Sequence, residues 1–378
     1  MFLNICYNTY KNIRYNTYKI IVLKYIIMEE KLTYYENLTY EEKVLTEPVK
    51  YYMENKGKNI RQYIINYLGN YLCIDDKIID DMIEIINIIH NASLVIDDIQ
   101  DNSLLRRKQE CAHIKYGIPL SLNAGYLCIF KILNEINKRQ DIDENTKHKI
   151  IENMYLAHIG QGMDIYYTQH KIIPDIESYN KMIYYKTGTF LHIILDIMMA
   201  QCKNVILKKK YTELQDCLYN FALFFQIRDD YVNLTDPTYW EEKGFCQDFD
   251  EQKISYLITY CTNNKMDNYE KINDLMTKLN KTNSDKIEIL ILMKNNGLFD
   301  NIYNILWQLR EKILIVIDIN SLFEQLPLSK FEENVLINNN MEIEAILKDG
   351  RVVKYICEDL SVEGILSDGK VLRVLCPM

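Results

Sequence analysis

The sequence predicts an all-α protein with a small β appendage at its C-terminal end, and three observations lead there. Only 12 Gly and 6 Pro occur in 378 residues, and no Pro lies between Pro48 and Pro119. Helix breakers are therefore scarce and long helices are easily formed. Apolar residues recur at helical spacing, or run almost without interruption, from about Tyr40 to about Glu332; such stretches form amphipathic or wholly buried helices. The final segment abandons this pattern for short β-favouring runs separated by Asp-Gly pairs, which mark hairpins.

Taken in order, Met1 to Ile27 contains Lys11, Arg14, Lys19 and Lys24 and no acidic residue. Its best apolar run, Ile20 to Ile27, is broken by Lys24 and is too short to span a bilayer. With little Arg and no Ser it fits a mitochondrial presequence less well than a disordered extension ahead of a possible start at Met28. No transmembrane segment is expected. Residues 28–333 are assigned to one helical domain. Within it Asp75 to Ile99 places Ile78, Ile79, Met82, Ile83, Ile86, Ile89 and Leu94 in helical register and ends on an acidic run. Helix ends follow at Gly117-Ile118-Pro119, Pro174, Asp236-Pro237 and Thr262-Asn263-Asn264. In residues 334–378 the stretch Glu344 to Val352 recurs as Glu363 to Val371, and Cys357 recurs as Cys376, each 19 positions later. Two related hairpins are expected, forming an interaction or dimer-stabilising module or a tail without function of its own.

Composition narrows the chemistry. With 48% hydrophobic residues the chain can fill a large core. A net charge of -9 argues against a general nucleic-acid binder, since phosphate backbones are gripped by excess Lys and Arg. Ten cysteines without a CxxC pair point to reduced thiols and a cytoplasmic location. Because 30 Tyr are present, single tyrosines carry little weight as signals.

Two acidic runs stand out. In Asp97-Asp98-Ile99-Gln100-Asp101 the first and last carboxylates are four apart and share a helix face. Clustered carboxylates repel unless a cation or solvent relieves them, and alone such a run is more often a solvated patch. The second, Asp229-Asp230-Tyr231-Val232-Asn233, also ends an apolar stretch, Phe221 to Arg228. Two buried helices delivering carboxylates to one cavity would clamp several Mg²⁺, a cation that prefers oxygen ligands and bridges to phosphates. Basic pairs lie close by: Arg106-Arg107, and Lys58 with Arg61. Arginine forks match phosphate oxygens and lysines add point charges.

His90 to Ser103, continued by Arg106-Arg107, resembles the first aspartate-rich motif of the trans-isoprenyl diphosphate synthases, most closely the eukaryotic geranylgeranyl diphosphate synthases. Gly160 to Tyr167, Lys186-Thr187-Gly188, Phe225 to Leu234 and Lys243 to Asp248 follow in the family's order, and the resemblance spans residues 40 to 332. It implies a helical bundle of the isoprenoid synthase type around a central cavity, usually at least a homodimer. Its partners would be isopentenyl diphosphate and allylic diphosphates, with three Mg²⁺ ions. By this resemblance Asp97, Asp101 and Asp229 hold the metal, supported by Asp98 and Asp230. Arg106, Lys186 and Lys243 bind the allylic diphosphate. Thr187 and Gln226 set oxygen dipoles against the allylic cation. Lys58, Arg61, His90 and Arg107 form the isopentenyl diphosphate site, and Lys253 closes over the allylic pocket.

The implied reaction ionises the allylic carbon–oxygen bond in a dry cavity and lets the double bond of isopentenyl diphosphate attack the cation. The departed diphosphate can take the final proton, so no His or Glu base is assigned. Two departures concern loops: Lys108 stands where the family has Gly, and Gln252, with Tyr256-Leu257, replaces a closing Gly and a Phe-Pro. Ala92 and Ser93, one turn before Asp97, are small where farnesyl-forming members carry aromatics. The expected product is therefore geranylgeranyl diphosphate, with the chain stopped by Tyr126, Phe130 or His158. The alternatives are a farnesyl or longer polyprenyl synthase and a non-catalytic subunit. A terpene cyclase is disfavoured because Asn233 replaces the Ser or Thr its second motif needs.

Overall fold

The structure, a computed structural model, describes residues 38–337 apart from 56, 58 and 108, together with 343–347, 351–355, 362–365 and 371–374. Met1 to Ile27, Lys58 and Lys108 thus lie outside the described residues. The main helices are α1 (Tyr40–Glu54), α2 (Ile60–Tyr71), α3 (Asp76–Gln100), α4 (Ile118–Lys138), α5 (Glu144–His170), α6 (Thr189–Gln201), α7 (Tyr211–Thr235), α8 (Pro237–Lys243), α9 (Tyr256–Asn263) and α10 (Leu298–Val316). Shorter helical turns are named by their residues. The all-α assignment holds. Among the described residues no helix is long and apolar enough to cross a membrane.

The chain divides into a unit ending at Leu45 and a second from Thr46 onward. The described part of the first begins α1 with reciprocal bonds, Thr39 N to Glu42 Oε2 at 2.9 Å and Glu42 N to Thr39 Oγ1 at 3.2 Å, the arrangement of a capping box.

In the second unit the apolar periodicity decides which faces are buried. In α3 Ile79, Met82, Ile83, Ile86, Ile89, Ala92, Val95 and Ile96 are all buried, and the helix packs along α4. The two backbones approach closely at Gly125, where a Cβ would come within 2.7 Å of Ile96 and 3.1 Å of the Ala92 carbonyl oxygen. Helix α6 is buried from Thr189 to Met199, all round, as a bundle's central helix must be. Helices α5 and α7 flank it, and α10 covers the other side of α7.

Two features depart from the expected pattern. Leu105–Arg106 (β1) and Gln109–Glu110 (β2) pair antiparallel directly after the first acidic run. Between α5 and α6, Tyr184–Gly188 forms a π-helical turn. The C-terminal segment is a single five-stranded antiparallel meander, β3 (Val335–Ile337), β4 (Ile343–Ile346), β5 (Val352–Tyr355), β6 (Val362–Ile365) and β7 (Val371–Val374). The two hairpins are there, with one register: Ile343 faces Tyr355 and Ile346 faces Val352, as Val362 faces Val374 and Ile365 faces Val371. They are not separate, because β5 also pairs with β6 and β3 adds a strand at the front.

Candidate active site

Helix α3 starts on Asp75, whose carboxylate accepts from Lys77 N at 3.0 Å, and ends on Asp101. Asp97, Asp98 and Asp101 therefore sit at a helix C-terminus, where the backbone dipole is itself negative. Cations must offset this charge. Asp98 is fully buried and accepts from Arg106 Nε, at 3.0 and 3.1 Å to its two oxygens, from Arg106 Nη2 and from the Tyr52 hydroxyl. That hydroxyl accepts from Ala112 N at 3.0 Å. Burial and the Asp98 carboxylate hold the Tyr52 hydroxyl well above its ordinary pKa, so it stays a donor. Asp98 thus grips the guanidinium that β1 presents. Asp97 turns the other way. It accepts from Gln161 Nε2 at 2.9 Å and lies 3.5 Å from Arg106 Nη2 and 3.7 Å from Lys186 Nζ. Desolvation and the negative charge of Asp97 push the Asp101 carboxyl up to about 7.

Lys186 is delivered by the π-helical turn, a distortion that often marks functional positions. Its Nζ donates to Asp164 Oδ2 of α5 at 2.6 Å. Gly160 makes this possible, since a Cβ there would strike the backbone of Lys186 and Tyr185. Thr187 follows in the same turn, half-buried.

The second acidic run lies in the C-terminal half of α7, which stays buried through Thr235. Asp230 is fully buried and accepts from the Tyr179 hydroxyl at 2.8 Å, Tyr256 N at 2.7 Å and Gln226 Nε2 at 3.0 Å. Gln226 therefore commits its amide nitrogen to Asp230, leaving its oxygen as the other end of the dipole. Asp229 accepts from the Tyr239 hydroxyl of α8 at 2.7 Å. Lys253 Nζ lies 4.0 Å from Asp230 Oδ1. The Asp248 carboxylate most of all, against the cost of burial, holds its ammonium well above the ordinary lysine range. Asp248 is itself pushed up to about 7 by burial. Lys253 offsets part of the rise that burial imposes on Asp101 and Asp230, and with Lys186 it holds Asp164 below its ordinary value. One ammonium thus lies in the field of carboxylates from both acidic runs and α5. The altered loop still delivers it, because Gln252 adopts φ 54°, the left-handed conformation that a Gly would take at lower cost.

A separate cationic cluster flanks α3. Arg61 Nη1 donates to His90 Nε2 at 2.8 Å. Arg107 Nη1 donates to the carbonyls of Tyr52, at 3.3 Å, and Asn55. Gly57 lies against this guanidinium, a Cβ there falling 2.9 Å from Nη2. Burial and the charge of Arg107 lower Arg61 to about 10, and burial with Arg61 keeps His90 well below its ordinary value and neutral. Crowded cations of this kind suit an anion. Lys58 and the Lys243 side chain lie outside the described residues.

The residues expected to set product length are not brought together. Ala92 is buried against α4, whereas Ser93 is half-buried on the Asp97 face, its hydroxyl donating to the His90 carbonyl at 2.8 Å. Tyr126 and Phe130 are 37% and 66% exposed, and His158 is exposed on α5. Within one chain these three side chains wall no interior channel, because helical spacing from the buried Ala124, Cys128 and Ile129 turns Tyr126 and Phe130 outward.

Sequence reasoning assigned no role to Tyr52, Gln161, Asp164, Tyr179, Tyr239 or Asp248. Gln161, Asp164 and Asp248 fall inside motifs already noted. The tyrosines were hidden by the abundance of Tyr.

Among the described residues no three His, Cys, Asp or Glu side chains form a group that would cage an ion. The donor set still fits Mg²⁺, which takes one or two carboxylates and completes its shell with waters and substrate phosphates. Asp97 and Asp101 are carboxylates at the end of α3 and Asp229 is one in the C-terminal half of α7, and the raised Asp101 is one whose charge a cation would relieve.

The chain is similar to known proteins. The polyprenyl synthetase family pattern matches residues 42–293. A geranylgeranyl pyrophosphate synthase of Dictyostelium discoideum is 32% identical over 270 residues, covering 71% of this chain and 86% of the relative. One from Penicillium paxilli is 31% identical over 257 residues, 68% of this chain and 67% of the relative. A bifunctional sesterterpene synthase of Talaromyces wortmannii is 32% identical over 235 residues, 62% of this chain but 30% of the relative.

Proposed function

The chain belongs to the polyprenyl synthetase family and is a trans-prenyltransferase, and from that premise we propose that it condenses isopentenyl diphosphate with allylic diphosphates to make geranylgeranyl diphosphate, using Mg²⁺. One observation carries the reading: each acidic run stands beside a lysine, Lys186 Nζ 3.7 Å from Asp97 Oδ1 and Lys253 Nζ 4.0 Å from Asp230 Oδ1, the pairing of carboxylate and cation that a clamp on a metal-bound diphosphate needs.

In this reading Asp97, Asp101 and Asp229 hold Mg²⁺, which supplies positive charge to the leaving diphosphate. Asp98 and Asp230 act behind them as carboxylates saturated by protein donors. Asp98 fixes Arg106, and Asp230 fixes Gln226 and Lys253. Arg106, Lys186 and Lys253 with Lys243 receive the allylic diphosphate, and each carboxylate that pairs with them now keeps its cation in position. Arg61, Arg107 and neutral His90, with Lys58, receive isopentenyl diphosphate. Thr187 and the Gln226 oxygen face the allylic cation, where dipoles fixed in advance stabilise developing charge without reorganisation.

The twenty-carbon product is supported by the small Ser93 below Asp97 and by the names of the relatives. A homodimer covering the exposed Tyr126, Phe130, Ile151 and Tyr155 belongs to the same reading, since large apolar side chains exposed four apart on α4 and again on α5 form stripes that a partner would bury. The test is to incubate purified protein with Mg²⁺, isopentenyl diphosphate and each of dimethylallyl, geranyl and farnesyl diphosphate, and to measure product length. A C20 diphosphate is expected. Failure to condense any allylic partner overturns the assignment, and a C15 or longer product overturns its length.

A further inference from the structure

The family pattern ends at residue 293, and the C-terminal meander beyond it has no part in the chemistry described so far. Its contacts lead back to the site. Strands β3 and β4 bury Val335, Ile343 and Ala345, and Leu347 continues that face, while Leu336 and Ile346 point outward. The β4–β5 hairpin closes with Leu347 N donating to the Arg351 carbonyl at 2.8 Å, which fixes the backbone of Arg351. The Arg351 guanidinium then forks onto Glu241 of α8, with Nη1 to Oε1 and Nη2 to Oε2 both at 3.1 Å. Nearer the body, Asn334 Nδ2 donates to the Thr235 carbonyl at 3.4 Å, at the last turn of α7.

Helix α8 is seven residues long, too short to hold its position by itself. Its Trp240 Nε1 donates to the Asn233 carbonyl at 2.7 Å, and its Tyr239 hydroxyl donates to Asp229. Tyr239 and Glu241, two apart, lie on opposite sides of a helix. One side therefore meets the acidic run of α7 and the other meets the sheet.

We propose that the C-terminal sheet braces α8 through the Glu241–Arg351 fork, so that Tyr239 keeps Asp229 in its rotamer. Glu241, Arg351 and Tyr239 are positioning residues, and the proposal rests on the reading of Asp229 as a metal ligand. A two-pronged Arg–carboxylate contact is the geometry in which a surface pair holds best.

The test uses the full chain as Glu241→Ala, Arg351→Ala and the exchanged pair Glu241→Arg with Arg351→Glu. Amide hydrogen exchange over residues 237–243 is read beside the Mg²⁺ concentration for half-maximal rate. In each alanine variant both should rise, on the order of fivefold, with the KM for isopentenyl diphosphate and exchange in α3 unchanged. The exchanged pair should restore both. Wild-type exchange over 237–243 in the two alanine variants overturns the brace. An inactive wild type would instead overturn the functional reading, and the exchange data would still decide the brace.

Discussion

Ala92 and Ser93 are adjacent in sequence and small for different reasons. Ala92 lies where α4 comes close enough that Gly125 has no room for a Cβ, so its size is a packing requirement. Ser93 is one turn below Asp97 on the same face, so its size leaves space below the acidic run. Replacing Ser93 with Phe should therefore shift the product toward fifteen carbons with little change in Tm. Replacing Ala92 with Phe should instead destabilise the fold, by about 1–3 kcal/mol as for other overpacked cores. Product chromatography and thermal melts on both variants check this, and a shortened product from a stable Ala92→Phe chain would refute the division. The motif made both residues look alike, because their faces follow from which helix packs against α3. The same limit applies to Asp97 and Asp98. Their spacing named an acidic run, but burial separates Asp98, saturated by Arg106 and Tyr52, from the half-buried Asp97, whose cations Arg106 and Lys186 stand 3.5 and 3.7 Å away.

At the scale of elements, the long helices were legible because scarce Gly and Pro and a steady apolar period leave few alternatives. The 19-residue repeat likewise gave the two C-terminal hairpins, since a shared register follows from shared alternation. The pairing of β5 with β6 was not legible, because nothing local distinguishes two hairpins from one meander. The β1–β2 pair, at two residues each, leaves no period to read, yet it carries Arg106. The π-helical turn was equally hidden. It shows itself through Gly160, whose missing side chain lets α5 lie against the backbone of Lys186. Gly160→Ala should leave the helical content intact, because Ala is the better helix former by about 1 kcal/mol. It should nevertheless push Lys186 away from Asp164 and Asp97 and lower kcat/KM for the allylic diphosphate at least tenfold. Unchanged kinetics in a folded Gly160→Ala protein would show that the contact between α5 and the turn does not set Lys186.

Across the whole molecule, carboxylates outnumber the cations that meet at the site, and this shapes how stability depends on pH. Burial raises Asp248 to about 7, so the folded chain holds that proton more tightly than the unfolded one. The stability it contributes is complete below about pH 4, the ordinary aspartate range, and is lost as pH rises through about 7. His90 runs the other way. Burial and Arg61 lower its pKa, so its contribution is lost as pH falls below its ordinary value. A melt of the wild-type chain alone would mix these trends. Asp248→Asn separates them, because the amide keeps an oxygen to accept from Asn233, at 2.9 Å in the wild-type chain, and cannot ionise. Relative to wild type, its Tm should gain steadily between pH 5 and pH 7.5 in the absence of Mg²⁺. Parallel Tm curves for the two proteins over that range would mean that Asp248 titrates like an exposed carboxylate, with Lys253 neutralising it fully.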